Sequence, residues 1–505
     1  MKKLFVYSTL LPLLFAPPRP AEQSPSATPA VAAVKPAGDD QPVVRHHTLA
    51  IAGKTLNYNT TTGMMPIRNA AGETEANIFF IAYTLDGTTD PAKRRLVFSF
   101  NGGPGSSSVW LHLGALGPKR VPMNDDGTMP PPPYKLVPND SSWLPDTDLV
   151  FIDPVGTGYS RATKPELGKK FFGVQGDIES VGEFIRLYLT RYERWTSPLF
   201  LAGESYGTTR AAGLSGYLAD QGIALNGVSL ISTVLNFQTI RFTRGNDLPF
   251  QLYLPTYTAT AWYHKRLAPD LQKDLKATLK EVEQWAITGY AEALAKGDRL
   301  TQAERKATIA KLARYTGLDP KYIDQSELRI EIMRFIRELQ RDDNIIAGRL
   351  DSRLTGLGPR SISPIAESDP SNNAIRPPYT AAFNQYVRTE LGYKNDATYY
   401  ILGGGIGRWD WGVDTGFADV SDSLRTAFAK NPHMKLYIGE GYYDLATPYF
   451  AAEYTLNHLG LHPKVRGNVR THQYEAGHMY YIETDSLKKL QRDTKSFLEW
   501  AAPIQ

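Results

Sequence analysis

LFLAGESYGTTRAAGLSGYL (residues 199–218) decides the fold class, because it joins an apolar run to an apparent helix through a turn of small residues. The run LFLAG has the composition of a buried strand. Gly203, Ser205 and Gly207 form the pattern Gly-x-Ser-x-Gly where this run ends. Small neighbours let a strand turn abruptly into a helix, which lifts the serine hydroxyl above the sheet in a strained turn. The stretch predicts a sheet of the α/β class with Ser205 as its candidate nucleophile.

Further short apolar runs repeat this strand composition along the chain. They lie at residues 77–85, 95–100, 148–153, 227–232 and 435–440. Unbroken apolar runs are typical of strands buried on both faces of a parallel sheet, and amphipathic stretches such as residues 177–192 lie between them to cover those faces. We therefore predict a mostly parallel sheet flanked by helices.

The strand pattern is interrupted between residues 237 and 378. Residues 267–296 and 301–314 have helical composition there, and Thr301 with Glu304 predicts a capping box. A stripe of apolar residues at helical spacing follows, which is typical of core packing: Leu328, Ile332, Ile336 and Leu339. We predict a helical cap at residues 237–378, inserted into one α/β core whose two parts are residues 43–236 and 379–505.

Composition excludes several kinds of site. The 505 residues contain no cysteine, which excludes disulfides, thiolate nucleophiles and zinc–thiolate centres. Lysine and arginine number 56 against 52 for aspartate and glutamate, and a net charge of +4 is too small for this length to indicate nucleic-acid binding. His472 and His478 fit no metal-binding motif, so neither a metal nor another cofactor is predicted. The sequence carries no clear mark of an oligomeric state.

The first residues have the pattern of an export signal. Lys2 and Lys3 precede the mostly apolar stretch LFVYSTLLPLLFA, which is too short and too interrupted by proline to span a membrane. Residues 23–42 are rich in proline, alanine and serine, and such a segment buries too little apolar surface to fold. We predict a signal peptide at residues 1–22, a disordered leader at residues 23–42, and a periplasmic or secreted protein with no stable membrane insertion after signal removal.

Ser205 needs a base, because a neutral hydroxyl is a poor nucleophile. In enzymes with this strand–turn–helix the acid and the histidine follow the serine in that order. His478 lies near the chain end in YEAGHMYY, where a loop can carry it over the sheet, although a surface or capping histidine has the same pattern. Asp444 lies in the loop after KLYIGE, and Glu440, at the end of that predicted strand, is the competing carboxylate.

The glycine-rich stretch FNGGPGSSSVW (residues 100–110) follows another predicted strand. Bare glycine backbone lets a loop approach a reacting carbonyl closely. In enzymes with the strand–turn–helix described above, such a loop donates one backbone N–H to the negatively charged oxygen that forms during the reaction, the oxyanion. The residue after the serine donates the other N–H. Gly103 and Tyr206 are therefore the candidate oxyanion-hole donors. The alternative is that the glycines form only a tight loop.

NGGPGSSS, DPVGTGYS, GESYG, GEGYYDLATP and AGHM occur in this order between residues 101 and 479. Together they resemble the serine carboxypeptidase family of α/β hydrolases, here in the form of an exported bacterial member. The resemblance implies an α/β-hydrolase fold with Ser205 as nucleophile, His478 as base and Asp444 as its orienting partner. It also implies that the inserted helices form a cap over the substrate cleft.

The resemblance further implies the substrate. Asn101, Gly102 and Glu204 match family positions that hydrogen-bond the free C-terminal carboxylate of a peptide, and Glu204 is expected to be protonated when it does so. The expected reaction is release of C-terminal amino acids through an acyl-enzyme. An acyltransferase, an esterase or aminopeptidase on the same fold, and a non-enzymatic binding protein are the alternatives.

The sequence departs from the family at one place. It reads HLGALGPKR, with Gly114 and Ala115 where the family commonly has an aromatic residue and a glutamate that shares a proton with the carboxylate-binding glutamate. We therefore expect a roomier pocket for the leaving residue, partly filled by Trp110. We also expect a weaker carboxylate clamp, unless another side chain takes the place of that glutamate.

Overall fold

The computed structural model describes residues 41–504, and a mixed β-sheet organises them. The predicted signal peptide lies outside these residues, as does the predicted leader apart from residues 41 and 42. The main strands are β1 (Val43–Ile51), β2 (Lys54–Arg68), β3 (Thr74–Leu85), β4 (Leu96–Phe100), β5 (Asp148–Ile152), β6 (Leu199–Ser205), β7 (Gly227–Thr233), β8 (Lys435–Gly441) and β9 (Val469–Tyr474).

These strands lie across the sheet in the order β1-β2-β3-β5-β4-β6-β7-β8-β9. The strands from β4 to β9 run parallel to one another, whereas β1, β2 and β3 form an antiparallel edge that joins them through β5. Parallel strands have their carboxyl ends at the same edge of a sheet, where ligands bind. Because β6 is central, Ser205 at its end lies between the loops that follow β4 and β7.

Helices cover both faces of the sheet. The longer ones are α1 (Val174–Arg191), α2 (Tyr206–Asp220), α3 (Leu248–Tyr263), α4 (Leu275–Trp285), α5 (Gln302–Thr316), α6 (Pro370–Thr389), α7 (Ser421–Lys430), α8 (Tyr449–Asn457) and α9 (Thr484–Ala501). Neighbouring residues of β4 point to opposite faces: Val97 packs in the core that contains α9, and Phe98 in the core that contains α1, α2 and α7. This arrangement confirms the predicted α/β class.

The segment between β7 and β8 is mainly helical and carries α3 to α7. Its predicted capping box is present, since Thr301 and Glu304 exchange hydrogen bonds at the start of α5. The helical composition of residues 267–296 agrees with the structure, which is helical from residue 275 to residue 296. Asp274 caps the start of α4 by accepting the Ala277 N–H, and a π-helical turn, Ala286–Tyr290, follows that helix.

The predicted end of the cap, residue 378, falls inside α6 rather than between two elements. Pro377 and Pro378 favour a helix end in the sequence. The helix nevertheless continues because one of its faces is buried, with Ile375, Tyr379 and Phe383 in the same core as α9. Tertiary packing outweighs the local preference at this position.

Across residues 41–504, none of the helices combines the length and the apolar character that crossing a bilayer requires.

Candidate active site

Ser205 ends β6 in a left-handed backbone conformation, with φ +60° and ψ −131°. A residue other than glycine adopts this region at an energetic cost, so the surrounding structure has to hold it there. The next residue, Tyr206, begins α2, and the Thr208 hydroxyl donates to the Ser205 carbonyl at 2.6 Å. The strand–turn–helix predicted from the sequence is therefore present, with the serine at its turn.

Asp444 and His478 are in direct contact. The Oδ2 atom of Asp444 lies 2.7 Å from Nδ1 of His478, and both side chains are buried. Asp444 also accepts hydrogen bonds from the Thr447 backbone N–H at 3.0 Å and from the Thr447 hydroxyl at 2.8 Å, which stabilise its charge away from water. The competing carboxylate, Glu440, instead accepts the Thr233 N–H at 3.1 and 3.2 Å.

The end of β7 links Ser205 to the loop of His478. Thr233 lies opposite Ser205 in the register of β6 and β7. Its neighbour Ser232 donates its hydroxyl to the His478 carbonyl at 2.6 Å and accepts the Thr447 hydroxyl at its own carbonyl at 3.0 Å. The loops of Asp444 and His478 are therefore hydrogen-bonded to the end of β7, the strand beside the one that Ser205 ends.

Opposing influences set the pKa of His478. Burial lowers it, because a charged ring loses solvation, but the charge and hydrogen bond of Asp444, together with the charge of Glu204, outweigh burial. The positive charge of Arg349 acts against them and lowers the pKa. The result is a pKa above the ordinary value for histidine, so this site stabilises an imidazole ring that holds an extra proton.

Arg349 belongs to a segment of the helical insertion that contacts both loops. The Leu445 N–H donates to the Arg349 carbonyl at 3.0 Å, and the His478 N–H donates to the Leu350 carbonyl at 2.6 Å. The insertion is therefore hydrogen-bonded directly to Leu445, beside Asp444, and to His478 itself.

Glu204 is a buried carboxyl group immediately before Ser205. Burial raises the pKa of Glu204 to about 7, while the charge of His478 and a hydrogen bond from Tyr481 partly oppose the rise. The Tyr481 hydroxyl donates to Oε2 of Glu204. A carboxyl group with this pKa exchanges its proton near neutral pH, so it can be either a donor or an acceptor there.

Asn101 carries a free amide donor in the same region. Its Oδ1 atom accepts the Leu111 N–H at 3.0 Å, whereas its Nδ2 atom is buried without a hydrogen-bond partner among residues 41–504. The Asn101 carbonyl is held by Arg210 Nη1 at 2.6 Å, and Arg210 is in turn paired with buried Asp177 at 2.8 Å. This buried ion pair fixes the start of the glycine-rich loop.

The glycine-rich loop packs directly against the turn of Ser205. A Cβ atom on Gly102 would lie 2.7 Å from the Gly207 nitrogen and 2.8 Å from the Glu204 carbonyl oxygen, distances at which no side chain fits. The next residue, Gly103, has φ +100°, a conformation that favours glycine. Tyr206 is the first residue of α2, so its N–H has no acceptor within the helix.

The roomier pocket expected at Gly114 and Ala115 stays a prediction, but part of the space there is occupied. Ala115 is buried, and the space beside Gly114 is filled by the rings of Tyr379 and Tyr481. Trp110 packs against Tyr379 with ring centroids 5.0 Å apart, so the expectation that it helps to fill this region agrees with the structure. Tyr481 also contacts the carboxyl group of Glu204, as a side chain that takes the place of a missing glutamate would do.

Sequence reasoning missed several side chains of this site. Thr447 lies three positions after Asp444, and Tyr481 lies three positions after His478. This closeness in sequence could have predicted that both lie near the site. Arg349 and Tyr379 gave no such signal, because the path of the inserted segment brings them to the site.

Comparison with known proteins identifies the family. A model of the serine carboxypeptidase family matches residues 52–491. The pheromone-processing carboxypeptidase KEX1 of Saccharomyces cerevisiae (strain JAY291) is 35% identical over 158 residues, covering 28% of this chain and 20% of that protein. Serine carboxypeptidase-like 36 of Arabidopsis thaliana is 34% identical over 130 residues, covering 25% of this chain and 24% of that protein. These alignments span a quarter or less of each curated relative.

A solved structure shares the fold. The crystal structure of KEX1, a prohormone-processing carboxypeptidase from Saccharomyces cerevisiae, matches with a TM-score of 0.52 at 16% identity, covering 87% of this chain and 90% of that chain. The likeness confirms the predicted α/β-hydrolase fold. Because the family model covers most of the sequence, from residue 52 to residue 491, the protein belongs to the serine carboxypeptidase family.

Proposed function

We propose that the protein is a serine carboxypeptidase that releases C-terminal amino acids from peptides. The observation that carries the proposal is the 2.7 Å contact between Asp444 and His478 at the strand ends that also hold Ser205. A hydroxyl, an imidazole and a carboxylate in this order perform acyl transfer in many hydrolases. The family membership of the chain supports the same reaction.

In the proposed mechanism, His478 takes the proton of Ser205 while the serine oxygen bonds to the carbonyl carbon of the last peptide bond. Nδ1 of His478 faces Asp444, so Nε2 receives this proton. The carbon–nitrogen bond then breaks, and His478 gives the proton to the departing amino group. Water attacks the resulting ester by the same route, which releases the shortened peptide and restores the serine.

The carbonyl oxygen carries negative charge when its carbon is tetrahedral. We assign the backbone N–H groups of Gly103 and Tyr206 as the donors that stabilise it, because the glycine-rich loop packs against the start of α2. Each such donor contributes about 3 kcal/mol to lowering the barrier in comparable enzymes.

Selection of a free C-terminal carboxylate is assigned to Glu204, Asn101 and the Gly102 N–H. Protonated Glu204 donates a hydrogen bond to the substrate carboxylate, and the unpartnered Nδ2 of Asn101 supplies a second donor. Because the pKa of Glu204 is about 7, much of this group is protonated at and below neutral pH. A bound carboxylate favours the protonated form further, since two like charges repel each other.

Release of one amino acid from an N-blocked dipeptide tests the proposal, with the C-terminal amide of the same dipeptide as the matched control. We expect turnover of the free acid, much slower turnover of the amide, and none with Ser205→Ala. Equal cleavage of acid and amide would contradict recognition of the C-terminal carboxylate. Turnover only of an ester, or only of a peptide with a free N-terminus, would favour an esterase or an aminopeptidase instead. Preferred transfer of the acyl group to an added alcohol or amine would favour an acyltransferase. Absence of labelling by a fluorophosphonate probe would contradict a reactive Ser205.

We also propose that the protein is exported to the periplasm or the medium. The support is the positively charged and apolar pattern of residues 1–22. Fusing residues 1–42 to a reporter that is active only outside the cytoplasm tests this proposal. We expect activity with the natural sequence and loss of activity with Leu13→Arg, which puts a charge into the apolar stretch.

A further inference from the structure

Two tyrosine rings from distant parts of the chain converge on the carboxyl group of Glu204. The hydroxyl of Tyr481 donates to Glu204. Tyr379 lies on α6, and its hydroxyl is buried without a hydrogen-bond partner in the part of the chain that the structure describes. The two rings meet at Gly114, where a Cβ atom would lie 2.5 Å from Cε2 of Tyr481 and 2.6 Å from the Tyr379 hydroxyl oxygen.

We propose that the Tyr379 hydroxyl is a further donor to the C-terminal carboxylate of the substrate, and that Tyr481 positions Glu204 for the same contact. This inference rests on the proposed carboxypeptidase function. To the proposed donors Glu204, Asn101 and Gly102 it adds one phenol that contacts the substrate and one that positions Glu204.

The unpartnered hydroxyl of Tyr379 supports its part in the proposal. Buried polar groups in native structures almost always have a hydrogen-bond partner, and an exception calls for an explanation. Packing of Trp110 against Tyr379, at 5.0 Å between ring centroids, holds the ring in place. Burial, and then the charge of Glu204, raise the pKa of Tyr379 above its ordinary value. The phenol therefore keeps its proton and offers a donor close to Glu204 that a substrate carboxylate can accept.

The hydrogen bond of Tyr481 has a different consequence. Burial, and then the charge of Glu204, raise the pKa of Tyr481 well above its ordinary value, so this phenol also keeps its proton. A phenol that donates to a carboxylate stabilises the ionised form, and this contact lowers the pKa of Glu204 against the effect of burial. It also engages Oε2 of Glu204, which leaves Oε1 for the substrate.

Other groups contribute to the electrostatic environment of Glu204 and have to stay unchanged in a test. The side-chain amide of Asn101, like Tyr481, lowers the pKa of Glu204. The titratable groups that interact with Glu204 from the surrounding elements are His478, Asp444, Tyr379, Tyr480 and Tyr481.

The experiment measures binding in the full-length Ser205→Ala protein, where turnover does not interfere. The probes are an N-blocked dipeptide and its C-terminal amide, titrated by calorimetry from acidic to alkaline pH. Since hydrogen bonds to charged groups are strong, Tyr379→Phe is expected to weaken binding of the acid by about 10-fold to about 100-fold and to leave the amide unchanged. Tyr481→Phe is expected to raise the pKa of Glu204, and so to move the pH at which acid binding weakens to a higher value.

Tyr386→Phe is the matched control. Tyr386 also lies on α6 and is buried, but its hydroxyl bonds to the Tyr83 hydroxyl at 3.0 Å. Its loss is expected to change neither the preference for the acid nor the pH at which that preference falls. A circular dichroism spectrum of each variant checks that the fold is kept.

Three results would overturn the inference: equal weakening of acid and amide by Tyr379→Phe, an unmoved pH midpoint in Tyr481→Phe, or no preference for the acid in the parent protein. Failure of the proposed function looks different. In that case the wild-type protein releases no amino acid, although the Ser205→Ala protein still prefers the acid and loses that preference with Tyr379→Phe.

Discussion

Asp444 and His478 meet through Oδ2 and Nδ1 at 2.7 Å, with both side chains withdrawn from water. The hydroxyl of Thr447 contacts both groups, at 2.8 Å from Asp444 and 3.2 Å from His478. Because Nδ1 is engaged, the other ring nitrogen, Nε2, is the one available for Ser205. The orientation of the proposed base is therefore fixed before any peptide binds.

Replacement of this aspartate tests its role directly. Asp444→Asn presents an amide to His478, removes the charge that favours its protonated form, and stabilises the wrong tautomer. We expect kcat to fall by a factor on the order of 10⁴. The control is Glu440→Gln, which changes a buried carboxyl group of the same region that accepts from the Thr233 N–H rather than from His478. Equal losses in the two variants would contradict the assignment of Asp444.

Arg349 is expected to shift the lower pH limit of activity, which the pKa of His478 determines. Its charge lowers the pKa of His478, and the proposed base works only when it is neutral. Arg349→Met should therefore raise the pKa of His478 and move the acidic limb of the pH profile of kcat/KM to higher pH. Arg349→Lys keeps the charge and should keep the profile. An acidic limb that stays in place in the methionine variant would count against this electrostatic coupling.

Glu204 is expected to set the pH dependence of KM. Its pKa is about 7, so rising pH converts it from a donor into an anion that repels the substrate carboxylate. KM for a free-acid peptide should rise as pH increases through this value. Glu204→Gln cannot ionise, and its KM should stay flat over the same range. A KM that rises equally in both proteins would assign the titration to another group.

Gly102 tests the proposed oxyanion hole without touching Ser205 or His478. A methyl group there would meet the Gly207 nitrogen at 2.7 Å, and because that atom is backbone, the glycine-rich loop has to shift. Gly102→Ala is expected to lower kcat by about 10²-fold to about 10³-fold, the usual cost of losing one oxyanion donor. The control is Gly467→Ala, where nothing lies within 4 Å of the added carbon. Unchanged kcat in Gly102→Ala would exclude a role for this loop.

Asp148 is expected to matter for stability rather than for chemistry. It is buried at the start of β5 and pairs with Arg94 at 2.8 Å and Arg194 at 2.6 Å. Asp148→Ala leaves two buried guanidinium groups without their partner and should lower the free energy of unfolding by about 3 to about 5 kcal/mol. Denaturant titration measures the loss, and kcat of the folded fraction should be unchanged. A stability equal to that of the wild type would contradict this account.

The sequence predicted the central strands well and the edges poorly. Runs such as LVFSF, now β4, are almost entirely apolar because both faces of the strand are buried, and this composition identifies a strand clearly. β1, β2 and β9 were missed because they are only partly buried and contain many polar residues, so none of them is an unbroken apolar run. An edge strand gains its pairing from a neighbour that the local sequence does not reveal.

The residues of the candidate site also differ in how well the sequence predicts them. Ser205, Asp444 and His478 each follow a strand within a short motif, so local sequence was enough to select them. Tyr379 looks like any other core residue in the sequence, and only the path of α6 brings its ring beside Gly114 and Tyr481. A role that depends on long-range packing leaves no local pattern.

The proposed base, His478, follows β9, the edge strand of the sheet. The proposed nucleophile, Ser205, ends β6 at the centre of the sheet. A growing polypeptide that has completed α8 already carries the serine and the acid, yet it lacks the proposed base that accepts the proton. Hydrolytic competence would thus be the final property the molecule acquires during synthesis. Chain order itself would keep a half-made enzyme from digesting the peptides around it.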